Sequence, residues 1–225
     1  DLCHTALHGR QLGLEHRLAV LAPAEAPAAL VAFAAGEADP LLETGRMTTR
    51  GKVAWLFTGL GSQWAGMGAE LYRRSATFAA MLDRCSAACG GHLDPPLREA
   101  MFDTDGDWLQ RMDYAQPSII AFELAMAAYW SKYGLRPDVV LGHSWGEYAA
   151  CAVAGAASVE QIMALAVTSG RLMQGAGSGA MLAAFAEAGT LEPLATRHGV
   201  ELAADNAGRH RVYSGSRPSI AALAA

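Results

Sequence analysis

Twice in this chain a short apolar run stops abruptly at a glycine-rich turn and gives way to a helix-forming stretch, and few folds accommodate that pattern. The first run is Val53-Ala54-Trp55-Leu56-Phe57, closed by Thr58-Gly59-Leu60-Gly61-Ser62. The second is Val139-Val140-Leu141, closed by Gly142-His143-Ser144-Trp145-Gly146. Continuous apolar runs of this length suit parallel strands covered on both faces. Strand, tight turn and helix in alternation predict an α/β fold built on a doubly wound parallel sheet. Ligands of such sheets sit beyond the carboxyl ends of the strands, which is where both glycine turns lie.

Helices are expected over residues 67–78 and 118–132, the second ended by Gly134 and Pro137, and a third begins near Glu147. Before Val53, an alternating run from Leu18 to Leu21 and an Ala-rich helical stretch read as a small separate α/β element, followed by a polar linker from Glu43 to Lys52. Past about 175–179 a new unit starts, with Met181 to Phe185 and Val212-Tyr213 as strands around a helix. The expected boundaries are thus 1–50, 51–177 and 178–225.

Gly142-His143-Ser144-Trp145-Gly146 fits the nucleophile-elbow pattern G-x-S-x-G. The turn from strand to helix is so tight that side chains at the glycine positions would collide with backbone, and Ser144 is thereby thrust into the open. The helix that follows presents free N–H groups and a positive partial charge where an oxyanion would form, with the Trp145 N–H as first donor. Gly59-Leu60-Gly61-Ser62-Gln63 is a weaker pattern. No Lys-Ser or Lys-Thr follows it, and Trp64 stands where a dinucleotide motif needs its third glycine, so neither nucleotide-binding loop is met.

Composition narrows the remaining classes. A chain of 225 residues that is 52% apolar can bury one large core or a main domain with a small appendage. A net charge of -5 gives no broad basic field, which argues against nucleic acid as the principal partner. No apolar run approaches the roughly 20 residues that span a bilayer, and the start, with His4, His8 and Arg10, lacks a signal-peptide core. Cys3, Cys85, Cys89 and Cys151 form no metal-ligand spacing, so no metal is expected and the thiols read as reduced cysteines of a soluble cytoplasmic protein.

The segment 142–147, together with 59–63 and Gln116-Pro117, resembles the malonyl-CoA:acyl-carrier-protein transacylases, and more narrowly the acyltransferase domains of modular polyketide synthases. Gly170-Arg171-Leu172-Met173-Gln174 and Asn206 with Val212 to Gly215 fit the same family. Leu12 to Leu21 looks like the linker that joins a ketosynthase to its acyltransferase. The resemblance implies an α/β-hydrolase-like large subdomain and an incomplete ferredoxin-like one. It also implies a ping-pong reaction: Ser144 attacks an acyl-CoA thioester, forms an acyl-enzyme, and passes the group to the phosphopantetheine thiol of an acyl carrier protein. No cofactor is bound in that reaction. Leu60, where the family has Gln, and Trp145 would supply the backbone N–H groups of the oxyanion hole. Gln116 would line the acyl pocket, or else cap a helix ahead of Pro117. His143 is counted with the substrate-binding positions as a packing or orienting residue, not as the base.

Two departures follow from the same resemblance. The family's general base is a His downstream of the serine, expected past Ala225, and His198 and His210 read as surface residues, so the chain is expected to be a fragment of the full domain. The carboxylate-binding Arg of malonyl-type members falls on Ser169, and Arg171, two helical positions on, faces elsewhere. An uncharged acyl group is therefore expected. Two other readings stay open: an acyl hydrolase of the thioesterase kind, which shares the elbow, and a non-catalytic docking module or remnant.

Overall fold

The computed structural model describes residues 14–47, 49, 51–176 and 179–225. Cys3, His4, His8, Arg10, Leu12 and the expected 177/178 boundary lie outside the described residues. The chain divides into two compact units, one reaching Val53 and one from Ala54 to Ala225.

In the first unit β1 (His16–Val20) pairs antiparallel with β2 (Leu42–Arg46), His16 opposite Arg46 and Val20 opposite Leu42. Between them runs α1 (Ala26–Ala34), with Pro27 in its first turn, where a missing N–H is harmless. The alternating run and the Ala-rich stretch thus become a strand and a helix, as their periodicities require.

The second unit is α/β. Strand β3 (Ala54–Phe57) leads to α2 (Ala69–Arg74), α3 (Ala76–Ala88) and α4 (Leu97–Phe102). The long α5 (Met112–Lys132) then returns to β4 (Val139–Gly142), and α6 (Gly146–Val153) and α7 (Val159–Gly175) follow. β3 and β4 are parallel, with Ala54 opposite Val139 and Phe57 opposite Gly142, so both glycine turns leave the same end of the sheet. Phe78, Leu82, Ile120 and Met163 are fully buried where α3, α5 and α7 meet, each worth roughly 1.5–3 kcal/mol of burial.

Three sequence expectations are revised here. The helix expected over 67–78 is broken at Ser75, whose extended backbone ends α2 and whose Oγ accepts the Phe78 N–H at the start of α3. The helix expected from Ser118 begins at Met112 and carries Pro117 inside it. Residues 113–121 are all buried, and the Met112 N–H donates to Gln174 Oε1 at 2.9 Å. Tertiary packing thus holds a turn that proline would otherwise break. Finally, the parallel strands are covered on one face: Phe57 is buried, whereas the register partners Leu56 and Leu141 are 72% and 63% exposed.

The rest of the unit is an antiparallel sheet in the order β5 (Gly179–Phe185), β7 (His210–Ser216), β6 (Glu201–Ala207). Helices α8 (Ala188–His198) and α9 (Arg217–Ala224) pack with it around Leu191, Tyr213 and Ile220. The order β-α-β-β-α is that of a ferredoxin-like motif up to its fifth element.

Candidate active site

The site is assembled by close backbone approach. A side chain on Gly142 would strike the backbone of Gly146 and Glu147, and one on Gly146 would strike the carbonyls of Phe57 and Thr58. Both positions are therefore restricted to glycine by contact, and the start of α6 is pressed against the end of β3. The His143 N–H donates to the Phe57 carbonyl at 3.0 Å, fastening the elbow to the end of β3.

Ser144 sits at the apex with φ 53°, and no other non-glycine among the described residues has a positive φ. A left-handed serine costs of order 1–3 kcal/mol, which the surrounding turn must over-determine. Its hydroxyl is exposed and makes no hydrogen bond to a described residue. The turn closes through the Gly146 N–H to the His143 carbonyl, 2.9 Å, and the Glu147 N–H to the Ser144 carbonyl, 3.0 Å.

The first glycine loop faces this apex. A Cβ built on Gly59 would lie 3.0 Å from the His143 carbonyl oxygen, 3.1 Å from Ser144 Cβ and 3.4 Å from His143 Cδ2. Leu60 is thus one residue from a direct approach to the serine, and Trp145 immediately follows it. Neither the Leu60 nor the Trp145 N–H donates to another described residue. The Trp145 ring stacks on Tyr148, centroids 4.7 Å apart, which fixes the indole as a wall and leaves the amide to the turn.

A second cluster forms between α5 and α7. Gln116 is fully buried inside α5, not at its start, so it is not a helix cap. Its Nε2 lies 2.8 Å from Met173 Sδ, and its Oε1 has no partner. Ser169 is half-buried one helical turn before Met173, hence on the same face of α7. Gly170 lets that face close onto α5: a Cβ there would meet the Met112 carbonyl oxygen at 2.5 Å. Arg171 points away, its Nη1 3.4 Å from His92 Nδ1. Among the described residues no hydrogen bond joins this cluster to Ser144. His198 ends α8, and His210 stacks on Phe185 at 4.5 Å; neither ring hydrogen-bonds to Ser144.

One polar group of the site escaped the sequence reading. Glu123, in the middle of the apolar stretch of α5, is buried. Its Oε1 accepts the Thr58 N–H at 2.6 Å and Thr58 Oγ1 at 3.2 Å, and its Oε2 has no partner. Burial pushes this carboxyl up to about 7, against the opposing pull of the two Thr58 hydrogen bonds. A single carboxylate within the otherwise uncharged stretch from Ile119 to Trp130 was the available signal. No group of His, Cys, Asp and Glu among the described residues could hold a metal ion. None of the described helices is long and apolar enough to cross a membrane.

The fold has counterparts among known proteins. The family model described as acyl transferase domain matches residues 54–225. Polyketide synthase GfsE of Streptomyces halstedii is 40% identical over 222 residues, covering 93% of this chain and 6% of its own length. The crystal structure of the acyltransferase domain from the second module of the salinomycin polyketide synthase superposes with a TM-score of 0.82 at 38% identity. That match covers 98% of this chain and 53% of the solved one, so the chain spans about half of the solved domain and a small part of the curated relative. The malonyl CoA-acyl carrier protein transacylase from Clostridium perfringens superposes over 77% of this chain and 56% of its own, with a TM-score of 0.68 at 27% identity. From the elbow, the facing glycine loop and these matches together, the chain belongs to the acyl transferase domain family and has its relatives among the polyketide synthases.

Proposed function

We propose that Ser144 is the acyl-accepting nucleophile of a polyketide-synthase acyltransferase, taking an acyl group from acyl-CoA and delivering it to the phosphopantetheine thiol of an acyl carrier protein. The observation that carries this reading is the exposed, left-handed Ser144 with the Gly59 backbone against it. In the first half-reaction the Ser144 Oγ–carbonyl bond forms, the thioester C–S bond breaks, and the serine proton leaves with the CoA thiol. In the second, the carrier thiol attacks the acyl-serine, the C–O bond breaks, and the proton returns to Ser144. In both, negative charge develops on the acyl oxygen, where the Leu60 and Trp145 N–H groups act as donors. A proton acceptor must serve both steps, and none of the described side chains hydrogen-bonds to the Ser144 hydroxyl.

The acyl group transferred is uncharged, such as acetyl. Ser169 presents no cation on the face it shares with Met173, Arg171 is turned to His92, and Arg111 is held by Asp113 at 2.7 Å. A free carboxylate placed there would stay unpaired, at a cost of several kcal/mol. Gln116 lines the same pocket, and His143 packs on the Gly59 loop and orients it. The neighbouring ketosynthase and the carrier protein are the partners, and the free thiols Cys85, Cys89 and Cys151 suit the reducing cytoplasm.

The test is to incubate the protein carrying this chain with acetyl-CoA and malonyl-CoA and to follow the Ser144 peptide by mass spectrometry, then add holo carrier protein. Acetylation of Ser144, lost in Ser144→Ala and discharged onto the carrier, is expected. Discharge onto water alone would make it a hydrolase. A protein that stays unlabelled, by a serine-directed fluorophosphonate as well, would be a docking module.

A further inference from the structure

Five residues, Thr58 to Ser62, connect β3 to the rest of the site, and side chains clamp them at both ends. At the near end Glu123 Oε1 accepts the Thr58 N–H and hydroxyl. Thr58 Oγ1 is 2.9 Å from Ser62 Oγ, where either hydroxyl can be the donor, and Ser62 Oγ lies 3.2 Å from the Gly59 carbonyl, an alternative acceptor for its one proton. At the far end Gln63 Oε1 accepts the Gly61 N–H, 2.8 Å, and Gln63 Nε2 donates to the Leu109 carbonyl, 3.4 Å. Leu60 lies at the centre of this clamp.

A loop with two glycines has many accessible conformations, and an oxyanion donor acts only if it is held in place before charge develops. Thr58 is itself exposed, so water could satisfy its N–H without Glu123. The contact is bought at the expense of a buried carboxylate with one oxygen unpartnered, a poor arrangement for stability alone. We propose that Glu123 is a positioning residue that, through Thr58 and Ser62, holds the Leu60 amide toward Ser144. It touches neither substrate nor the reacting atoms. The inference rests on the reading of Ser144 as nucleophile and Leu60 as oxyanion donor.

The experiment measures the first-order rate of Ser144 acylation and the thermal midpoint in the protein carrying this chain, for wild type, Glu123→Leu and Glu123→Gln. Glu123→Leu removes the acceptor and the buried charge together. It is expected to acylate about tenfold more slowly, a fraction of the 10²–10³ effect of losing an oxyanion donor outright, with unchanged KM and no loss of thermal stability. Glu123→Gln restores an acceptor for Thr58 but buries an unpaired amide N–H. It is expected to recover most of the rate while melting lower. Rate and stability thus move in opposite senses in the two variants, which a purely structural residue would not produce. If Glu123→Leu acylates at the wild-type rate, or if both rates simply follow stability, the positioning role is overturned while the nucleophile stands. If wild type is not acylated at Ser144, both readings fall together. Should Glu123→Leu fail to fold, Thr58→Val decides: it cuts the link to Ser62, and a rate equal to wild type overturns the proposal.

Discussion

The backbone of Gly59 lies so near Ser144 that a methyl group on its α-carbon would stand 3.1 Å from the Ser144 β-carbon. The two glycine turns, 85 residues apart by their numbers 59 and 144, thus make one site, and the glycines differ in how much room they leave. At Gly59 a few tenths of an ångström would relieve the contact, by moving either the loop or the nucleophile. At Gly146 the obstruction is the backbone of Phe57 and Thr58, which cannot yield without parting β3 from α6.

Gly59→Ala should therefore fold and lose function. Acylation of Ser144 should drop about tenfold to a hundredfold, short of the full loss of an oxyanion donor, with the melting midpoint little changed. Gly146→Ala should instead destabilise the unit by about 3 kcal/mol or more. Denaturant unfolding of both variants beside the acylation rate checks the contrast, and equal destabilisation by the two would refute it.

The elbow was legible in the sequence because its glycines answer to local sterics, which a short motif carries whole. The second glycine loop was legible as a turn after a strand, but its approach to Ser144 depends on the parallel register of β3 and β4, which places Phe57 opposite Gly142. Glu123 was not legible. It meets Thr58 across 65 residues of sequence, and only the packing of α5 beneath β3 reveals a buried carboxylate where a solvated one is the ordinary expectation. The early start of α5 was hidden for a related reason. Pro117 reads as a boundary, and the contacts that overrule it, Met112 to Gln174 and Tyr114 Oη to the Pro95 carbonyl at 2.9 Å, are long-range.

Glu123 also gives a pH signature. Its folded pKa is raised, from 4.5 to about 7, so the group's contribution to stability is fully present below about pH 4.5 and is lost as pH rises through 7. Wild type should lose roughly 3 kcal/mol across that window relative to Glu123→Gln, at 1.36 kcal/mol per unit. Glu160, lowered to about 2 by its hydrogen bond to Arg84, titrates below this window and acts in the opposite sense. Urea unfolding from pH 4 to 8 on both proteins measures the difference. A gap that does not change with pH would place Glu123 in water rather than beneath β3.

Thiol reactivity reports on the α3 packing. Cys85 and Cys89 stand one helical turn apart, are buried, and are both pushed up to about 12 by desolvation, whereas Cys151 is exposed. Only a thiolate alkylates readily. Iodoacetamide at about pH 8 should modify Cys151 in the native protein and reach Cys85 and Cys89 only after denaturation. Peptide mass spectrometry reads this out, and native labelling of Cys85 at the rate of Cys151 would contradict the packing of α3 against the core.

Acyl choice turns on the face of α7 that carries Ser169 and Met173. Ser169→Arg would introduce a guanidinium one turn from Met173, whose sulfur already touches Gln116, and the half-buried position lets a long side chain reach the pocket while its stem stays packed. A bidentate pair with a free carboxylate is among the stronger polar contacts available in a partly dry site. Malonyl loading should then rise about a hundredfold relative to acetyl loading, equivalent to about 2.8 kcal/mol at 1.4 kcal/mol per factor of ten. Competition between the two CoA esters, resolved by the mass of the acyl-Ser144 peptide, measures the ratio directly. Wild type that already favours malonyl would overturn the assignment of an uncharged acyl group.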